Sequence, residues 1–300
     1  MSTEAVTRQV REGTVSPQDA APQLRDVTGP SALSGGWRRF WELTMLLATN
    51  EFKRTYFGTA LGYLWTVARP LLLFAVLVEV FTHVIQLGKL VPHYPAFLLF
   101  NMVLFGFFQE ASTMAVASIV SQEGIVRKTQ FPRLAIPTAV VVTAGFNLVL
   151  NLVIVFVFVV ALGITPMWTW LLLPVILLMM FVVTMAVSMI VSSLYPRFRD
   201  LGIIWSVFTT ALFYATPILF PLEIAVQRSH TLGKIIALNP FTPILELARV
   251  WVIDPQAPYP WTVKGGGSTH LAIAVGFVLV ICILAVWIFR REAPRIAEEL

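Results

Sequence analysis

Between Leu134 and Pro196 the chain carries no Asp, Glu, Lys or Arg side chain. A helix needs about 20 mostly apolar residues to cross the hydrocarbon core of a bilayer, so this stretch is long enough for two crossings. The turn at Gly163–Met167 divides it into two runs of suitable length. Because backbone polar groups in lipid must be satisfied within the segment, both runs are predicted to be transmembrane helices.

The rest of the chain shares this apolar character. Of the 300 residues, 57% are hydrophobic and 12% are charged, whereas about a quarter of a soluble domain is charged. A transmembrane β-barrel would instead show segments of about 10 residues with alternating polarity. We therefore predict an all-α polytopic membrane protein with six transmembrane helices. The predicted spans are about 70–87, 96–120, 138–162, 168–194, 201–220 and 270–289.

Residues 1–36 differ from everything that follows. They are polar, rich in Ser, Thr, Gln and Pro, and contain no apolar core of the kind that a signal peptide has. Such a composition buries too little apolar surface to fold, so we predict a disordered cytosolic tail. Residues 37–300 are predicted to form one transmembrane domain.

The segment 37–57 precedes the first span and is too charged to cross a bilayer. Its apolar side chains recur at helical spacing, with basic side chains between them. This pattern predicts an amphipathic helix that lies in the membrane interface, with its tryptophans at headgroup depth. The alternative is an amphipathic helix that covers a soluble core. The residues that define its beginning are Trp37, Arg38, Arg39, Phe40 and Trp41.

The distribution of basic residues predicts the orientation. With the N-terminus inside, thirteen Lys and Arg residues lie near the inner ends of the spans and five lie outside. Basic residues favour the cytosolic side, so both termini are predicted to be cytosolic. The net charge of +5 then reflects loops that face anionic membrane lipids, and no nucleic-acid partner is predicted.

A short basic loop separates the second and third spans. Its characteristic residues are Val126, Arg127, Lys128, Phe131, Pro132 and Arg133. The proline fixes the backbone and holds an aromatic side chain on a turn that water should surround. This arrangement is typical of a docking point for a soluble partner. The alternative is a loop that only sets the topology by its charge.

The loop between the fifth and sixth spans, about 221–269, is unusually long. It contains two helical pieces, a mixed one at 221–238 and a short amphipathic one at 244–253. Both are too short to span, and they follow a fifth span that is interrupted at Thr216-Pro217. Asn239 and Pro240 form a turn between the pieces. Short helices of this kind can dip back into the outer leaflet where they line a cavity, and a plain extracellular loop is the alternative.

Two carboxylates lie within the predicted spans, Glu79 in the first and Glu110 in the second. An intramembrane carboxylate is a candidate for function. His83 follows Glu79 by four residues, so the two can pair on one helix face. A proton-coupled transporter would use such a pair, and a structural hydrogen bond or a polar pore lining is the alternative. Asn147 and Asn151 are predicted to hydrogen-bond a neighbouring helix.

The sequence lacks the motifs of membrane enzymes. It has no G-x-x-x-x-G-K-[ST] phosphate loop, no H-E-x-x-H and no G-x-S-x-G. Its four histidines are scattered without metal-ligand spacing, and Cys282 is the only cysteine. We therefore predict that the chain is not an enzyme and that it binds no metal or cofactor. Any uphill transport must draw its energy from an ion gradient or from another subunit.

Four groups of residues, taken in order along 37–291, form a recognisable series. They are Lys53-Arg54-Thr55-Tyr56 with Gly58, Leu61-Gly62, Trp65 and Pro70-Leu71; Val126-Arg127-Lys128 with Phe131-Pro132-Arg133 and Pro137; Arg199-Asp200; and Thr216-Pro217-Ile218 with Asn239-Pro240. In this order and spacing, the chain resembles the permease subunit of bacterial ABC exporters for polysaccharides and lipid-linked glycans, within the type-2 ABC permease superfamily.

The resemblance implies a division of labour. Two copies of the chain would form a channel in the bacterial inner membrane, and two copies of a separate ATPase subunit would bind ATP and Mg²⁺. The segment 126–133, together with Arg199 and Asp200, would transmit closure of the ATPase, and the helix 37–57 would lie near the substrate entrance. The residues assigned to re-entrant gate helices at the outer end are Pro217, Asn239 and Pro240.

A passage for sugars favours aromatic platforms and neutral hydrogen-bonding groups, because sugars present hydroxyls and apolar ring faces. The first, second and fifth spans contain side chains that suit such a passage. The candidate lining residues are Phe74, Glu79, Phe81, Glu110, Phe208, Phe213 and Tyr214. The alternative is that these aromatics face lipid or pack between helices.

The function implied by the resemblance is export of a polyprenyl-linked polysaccharide of the O-antigen, galactan or teichoic-acid class. Two alternatives stay open. A drug or small-lipid exporter of the same superfamily would act on small amphiphiles. A gradient-driven secondary transporter would need Glu79 or Glu110 and no ATPase, and the sequence shows no inverted repeat that would support it.

Overall fold

A computed structural model describes residues 36–56, 62, 64–124, 132–263 and 267–292. The chain divides into the units Met1–Gly36 and Trp37–Leu300. The helices described below belong to the second unit, and the first of them begins at Gly36, the last residue of the first unit. Across the described ranges the regular structure is helical, without a β-strand.

The helices follow one another with short connections. The α-helices are α1 (Gly36–Tyr56), α2 (Leu64–Glu79), α3 (Tyr94–Val116), α4 (Ser118–Ser121), α5 (Ala135–Ala161), α6 (Leu173–Leu194), α7 (Leu201–Tyr214), α8 (Leu222–Arg228), α9 (His230–Ala237), α10 (Thr242–Ala248) and α11 (Gly267–Glu292). The turns of other helix types are Val80–Val84 after α2, Leu87–Lys89, Trp168–Leu172 before α6, and Arg249–Ile253 after α10.

Within the described residues, five helices are long and apolar enough to cross a membrane. They are Leu64–Val84, Tyr94–Val116, Ala135–Ala161, Trp168–Leu194 and Ser268–Glu292. A sixth candidate is the pair His230–Ala237 and Thr242–Ile253, which is bent by 92° at its break. The prediction of an all-α, multi-pass membrane protein is confirmed. In the described part of the chain the candidate spans number five, or six if the bent pair counts as one, compared with the six predicted.

The helix at the predicted fifth span is shorter than the range of about 201–220. Helix α7 ends at Tyr214 and leaves an apolar helix of 14 residues. Pro217 explains the stop, because a proline has no N–H to donate and disfavours helical backbone in the residue before it. The chain beyond α7 therefore turns back instead of continuing as a helix.

Helix α3 is the centre of the bundle. Its sequence is apolar on all sides, which is the pattern of a buried helix. In its most apolar window 72% of the residues are buried, compared with 11% for the span that contains α2 and 11% for α11. The rings of Phe97, Phe105 and Phe108 are almost fully enclosed. Helices α2, α5, α6 and α7 pack around this core.

Helix α1 packs across α5 through small side chains. Ala48 of α1 is fully buried against Ala139 and Val142 of α5. The Thr143 hydroxyl of α5 donates a hydrogen bond of 3.2 Å to the Ala48 carbonyl. At the other end of α1, Trp37 is 80% exposed and its ring stacks on that of Trp41. The helix thus has one face on the bundle and an aromatic beginning directed away from the core.

Candidate functional site

The chain that follows α7 is held against α3 by side chains of α3. The Tyr94 hydroxyl donates a hydrogen bond of 2.8 Å to the Leu219 carbonyl. The Asn101 amide donates one of 3.4 Å to the Pro217 carbonyl. Both donors are buried, and each satisfies a carbonyl that lies outside regular secondary structure. The segment is therefore fixed to the core at two points.

Asn239 joins the end of α7 to the turn before α10. Its amide donates to the Thr216 hydroxyl at 2.8 Å and to the Ala215 carbonyl at 3.3 Å. Its side-chain oxygen accepts a hydrogen bond of 3.0 Å from the Phe241 N–H. The structure thus brings Asn239 and the neighbouring Pro240 to the turn that contains Pro217.

Helices α8 and α9 form a tightly packed pair, Leu222–Ala237, which we call the outer hairpin. Gly233 of α9 lies directly against Val226 of α8. A Cβ atom at position 233 would come within 2.8 Å of the Val226 Cα atom and within 2.4 Å of its Cγ2 atom. Only glycine allows this close approach, and the two short helices support each other because neither is long enough to be stable alone.

A buried arginine lies beneath the outer hairpin. The Arg249 side chain is 2% exposed, and its Nη2 donates a hydrogen bond of 3.0 Å to Oε1 of Glu223 in α8. Two further carboxylates lie farther away, with Glu246 Oε2 at 3.7 Å and Asp254 Oδ2 at 3.8 Å. The guanidinium also lies over the Phe97 ring of α3, 5.6 Å from the ring centroid.

Two of these carboxylates are also bound to backbone groups. Glu246 Oε1 accepts a hydrogen bond of 2.6 Å from the Leu222 N–H at the start of α8. Asp254 Oδ1 accepts one of 3.1 Å from the Gln256 N–H. The cluster thereby connects the outer hairpin, α10, the loop after it and α3.

Neither Glu223 nor Arg249 was among the residues predicted to have a function. One local signal was available, because Glu246 and Arg249 are three residues apart in an otherwise apolar helix and so share a face. The third carboxylate partner, Asp254, follows in the next loop, and nothing in the local pattern points to it.

Polar side chains inside the bundle connect α2, α3 and α5. The Asn147 amide donates a hydrogen bond to the Glu110 carboxylate, and the Asn151 amide donates to the Thr66 carbonyl at 3.4 Å. The prediction that both asparagines bond a neighbouring helix is confirmed. Glu110, one of the candidate lining residues, therefore has a partner on α5 within the same chain.

The other candidate lining residues fall into two groups. Phe74 is buried, with its ring centroid 5.4 Å from that of Phe158. Phe81 and Phe213 are partly buried on the same core, and the Phe213 ring centroid lies 5.8 Å from that of Phe105. The exposed candidates are Phe208, Tyr214 and Glu79. The Glu79 carboxylate lies 3.2 Å from the His83 ring nitrogen, and both side chains are about 70% exposed.

At the opposite end of the bundle, the loop between α6 and α7 combines basic and aromatic side chains. The Arg199 guanidinium lies 5.6 Å from the Tyr195 ring centroid, and Arg197 lies 5.5 Å from that of Phe198. Asp200 immediately precedes α7.

The basic loop before α5 is described only in part. Pro132 and Arg133 accept backbone hydrogen bonds from Ala135 and Ile136 as α5 begins. The remaining predicted docking residues of that loop, which lie outside the described residues, are Val126, Arg127, Lys128 and Phe131.

A helical body with several membrane spans and a folded-back outer segment is an architecture that membrane permeases use. Residues 42–252 match the family described as ABC-2 type transporter, so the chain belongs to that family. The family that the motifs of the sequence indicated is thereby confirmed.

Two relatives carry the same name. The chain is 33% identical over 216 residues to the O-antigen export system permease protein RfbA of Myxococcus xanthus, which covers 72% of this chain and 82% of the relative. It is 30% identical over 261 residues to a protein of that name from Klebsiella pneumoniae, which covers 87% and 95%. The second alignment includes nearly the whole relative and hence the helices and the outer segment described above.

Proposed function

We propose that this chain is the channel-forming permease subunit of an ATP-driven exporter of a polyprenyl-linked polysaccharide. The observation that carries the proposal is the similarity to O-antigen export permeases over most of both chains, within the ABC-2 transporter family. The substrate is a glycan of the O-antigen, galactan or teichoic-acid class. It moves from the cytoplasm across the bacterial inner membrane.

The energy comes from a partner in this proposal. The sequence contains no phosphate loop, so ATP and Mg²⁺ bind to two copies of a separate ATPase subunit. The ATPase contacts the segment 126–133 and the loop that contains Arg199 and Asp200. Support comes from the basic character of both loops and from their position between spans that the charge distribution orients toward the cytosol.

A second copy of the chain completes the channel. Helix α2 exposes Leu72, Leu73 and Val76, and α7 exposes Ile203 and Ile204. Such faces suit contact with lipid or with another copy. The exposed Glu79–His83 pair favours a second copy on the α2 side, because ionisable groups are costly against lipid and far less so beside a water-filled passage. Glu79, Phe208 and Tyr214 then face that passage.

The two ends of the chain have separate tasks in the proposal. Helix α1 lies in the inner membrane interface, which its exposed Trp37 and Trp41 support. The outer hairpin and α10 form re-entrant gate helices, and the 92° bend between two apolar pieces supports this placement. Both termini are cytosolic, in keeping with the excess of basic residues on that side.

Purification of the protein from its native host tests the assembly. We expect a stoichiometric ATPase with a phosphate loop to accompany the permease in mild detergent. Arg127→Glu and Lys128→Glu with Phe131→Ala should abolish this co-purification, or the stimulation of hydrolysis by substrate, with membrane insertion intact. Normal pairing and transport by the triple variant would overturn the docking assignment. A permease that purifies alone at native expression would favour a gradient-driven transporter.

A further inference from the structure

Arg249 uses few of its hydrogen-bond donors. Its one hydrogen bond within the described residues is that from Nη2 to Glu223, while Nε and Nη1 are buried and have no hydrogen-bond partner there. The distances of 3.7 Å to Glu246 and 3.8 Å to Asp254 exceed the range of a hydrogen bond. A buried guanidinium with spare donors can gain by moving closer to either carboxylate.

The three carboxylates belong to two different segments. Glu223 lies on the outer hairpin and is 22% exposed, so it is the least buried of the three. Glu246 and Asp254 lie on the same segment as Arg249 and are 3% and 12% exposed. If the outer hairpin lifts, Arg249 therefore keeps two carboxylates and no unpaired charge is left behind.

The hairpin also holds Glu246 away from Arg249. Glu246 Oε1 is bound by the Leu222 N–H, which is the first N–H of the hairpin. Lifting the hairpin breaks this bond together with the Glu223–Arg249 pair. Glu246 is then free to accept from Nη1 of Arg249, which lies three residues away on the same helical segment. The Leu222–Glu246 hydrogen bond and the Glu223–Arg249 ion pair are thereby exchanged for one Glu246–Arg249 ion pair, shorter than the 3.7 Å of the closed arrangement.

Charge favours this exchange as well. In the closed arrangement one guanidinium faces three carboxyl groups, so ionisation of all three leaves an excess of negative charge in a buried place. Release of Glu223 toward water reduces that excess. The geometry points to a releasable latch: Glu223 and Arg249 hold the outer hairpin closed, and Arg249 passes to Glu246 when the hairpin opens. This inference rests on the proposed function, in which the hairpin forms part of the outer gate.

Thiol labelling measures the opening directly. Ala225 lies in α8 and is 7% exposed, so a cysteine at that position is shielded while α8 keeps its closed position and should react when α8 moves away. The background variant is Cys282→Ala, which removes the single native thiol. The permease is studied with its co-purified ATPase in proteoliposomes, with a membrane-impermeant maleimide added on the outer side. Labelling rates report the open population when reclosing is fast.

Three substitutions distinguish a releasable latch from a static brace, by which we mean an ion-pair cluster that only stabilises the closed arrangement. Glu223→Gln should raise the labelling rate roughly tenfold, because a neutral amide replaces the 3.0 Å ion pair by a weaker hydrogen bond, and this loss outweighs the relief of the negative charge. Glu246→Gln should lower it at least about threefold, because the closed cluster loses excess charge and Arg249 loses its second partner; a static brace predicts the opposite sign. Arg228→Gln, an exposed charge on the same helix, is the control and should stay within about twofold. Equal rates for Glu223→Gln and Arg228→Gln, or a rise for Glu246→Gln, would overturn the latch.

The nucleotide dependence connects the latch to transport. ATP turnover should raise the labelling rate of the protein with the unsubstituted latch. The fold increase should be smaller for Glu223→Gln. If turnover leaves labelling of the unsubstituted latch unchanged, the latch has no part in the transport cycle. The nucleotide-free rates require no glycan, so a failure of glycan export with the predicted labelling pattern would reject the proposed substrate and keep the latch.

Discussion

The Asn239 side chain lies 2.8 Å from the Thr216 hydroxyl, to which it donates a hydrogen bond across 23 positions of sequence. The same hydroxyl donates to the Leu212 carbonyl at 2.7 Å, inside the last turn of α7. The hydroxyl of the buried Thr216 therefore bonds both the last turn of α7 and the turn that leads into α10. The end of the fifth apolar helix and the outer segment are joined at this point.

Replacement of this hydroxyl should weaken the junction. Thr216→Val keeps the shape of the side chain but leaves the Asn239 amide without its closer acceptor. We expect a loss of about 1–3 kcal/mol in the free energy of unfolding, measured by thermal unfolding in detergent. Thr216→Ser restores the hydroxyl and serves as the matched control. Equal stability of the Val and Ser variants would contradict the role assigned to the bond.

The close approach of α8 and α9 makes a second prediction. Gly233→Ala places a methyl group within 2.8 Å of the Val226 backbone, which requires the hairpin to separate. We expect destabilisation of about 1–3 kcal/mol, typical of overpacking. Gly276→Ala in α11 is the control, since a Cβ atom there meets nothing within 4 Å and alanine favours the helix. Similar melting temperatures for both variants would show that the hairpin is loosely packed.

The seating of α1 on α5 can be tested in the same way. Ala48→Leu adds bulk at a fully buried contact with Ala139 and Val142, and should displace α1 at a cost of about 1–3 kcal/mol. Leu46→Ala on the same helix is the control, because Leu46 is 58% exposed. Proteolysis and thermal unfolding of the purified protein measure the effect. A larger loss of stability for Leu46→Ala than for Ala48→Leu would contradict the assignment of the Ala48 side of α1 as its buried face.

Substitution of the two carboxylates in the spans distinguishes ATP-driven export from proton-coupled transport. Glu110 has a structural partner in Asn147, and Glu79 pairs with His83 on its own helix. We therefore expect Glu79→Gln and Glu110→Gln each to retain ATP-driven export within about threefold, since an amide preserves size and hydrogen bonding. Export should also persist with a protonophore present. Loss of export in either variant together with sensitivity to the protonophore would favour a proton-coupled transporter.

The sequence was sufficient for features that depend on local composition. The uncharged stretch 134–196 contains two of the observed apolar helices, and the spacing of Asn147 and Asn151 indicated their contacts between helices. A bilayer imposes the same demand on every segment that crosses it, so hydropathy alone locates such segments.

Features that depend on contacts between distant segments were missed. Arg249 receives its nearest carboxylate from Glu223, 26 positions earlier, and its ring contact from Phe97 of α3. No periodicity links these positions, because each lies on a different element and only the folded outer segment brings them together. The fifth span was predicted over about 201–220 with an interruption at Thr216-Pro217, and the helix ends at Tyr214, just before that interruption.

Transport by the reconstituted complex tests the central claim most directly. The permease and its co-purified ATPase are placed in proteoliposomes with a polyprenyl-linked glycan on the ATPase side, and a membrane-impermeant glycosidase on the opposite side reports export. The proposed function predicts cleavage only with hydrolysable ATP and only when both subunits are present. Export driven by an ion gradient without ATP, or transport confined to small amphiphiles, would contradict it.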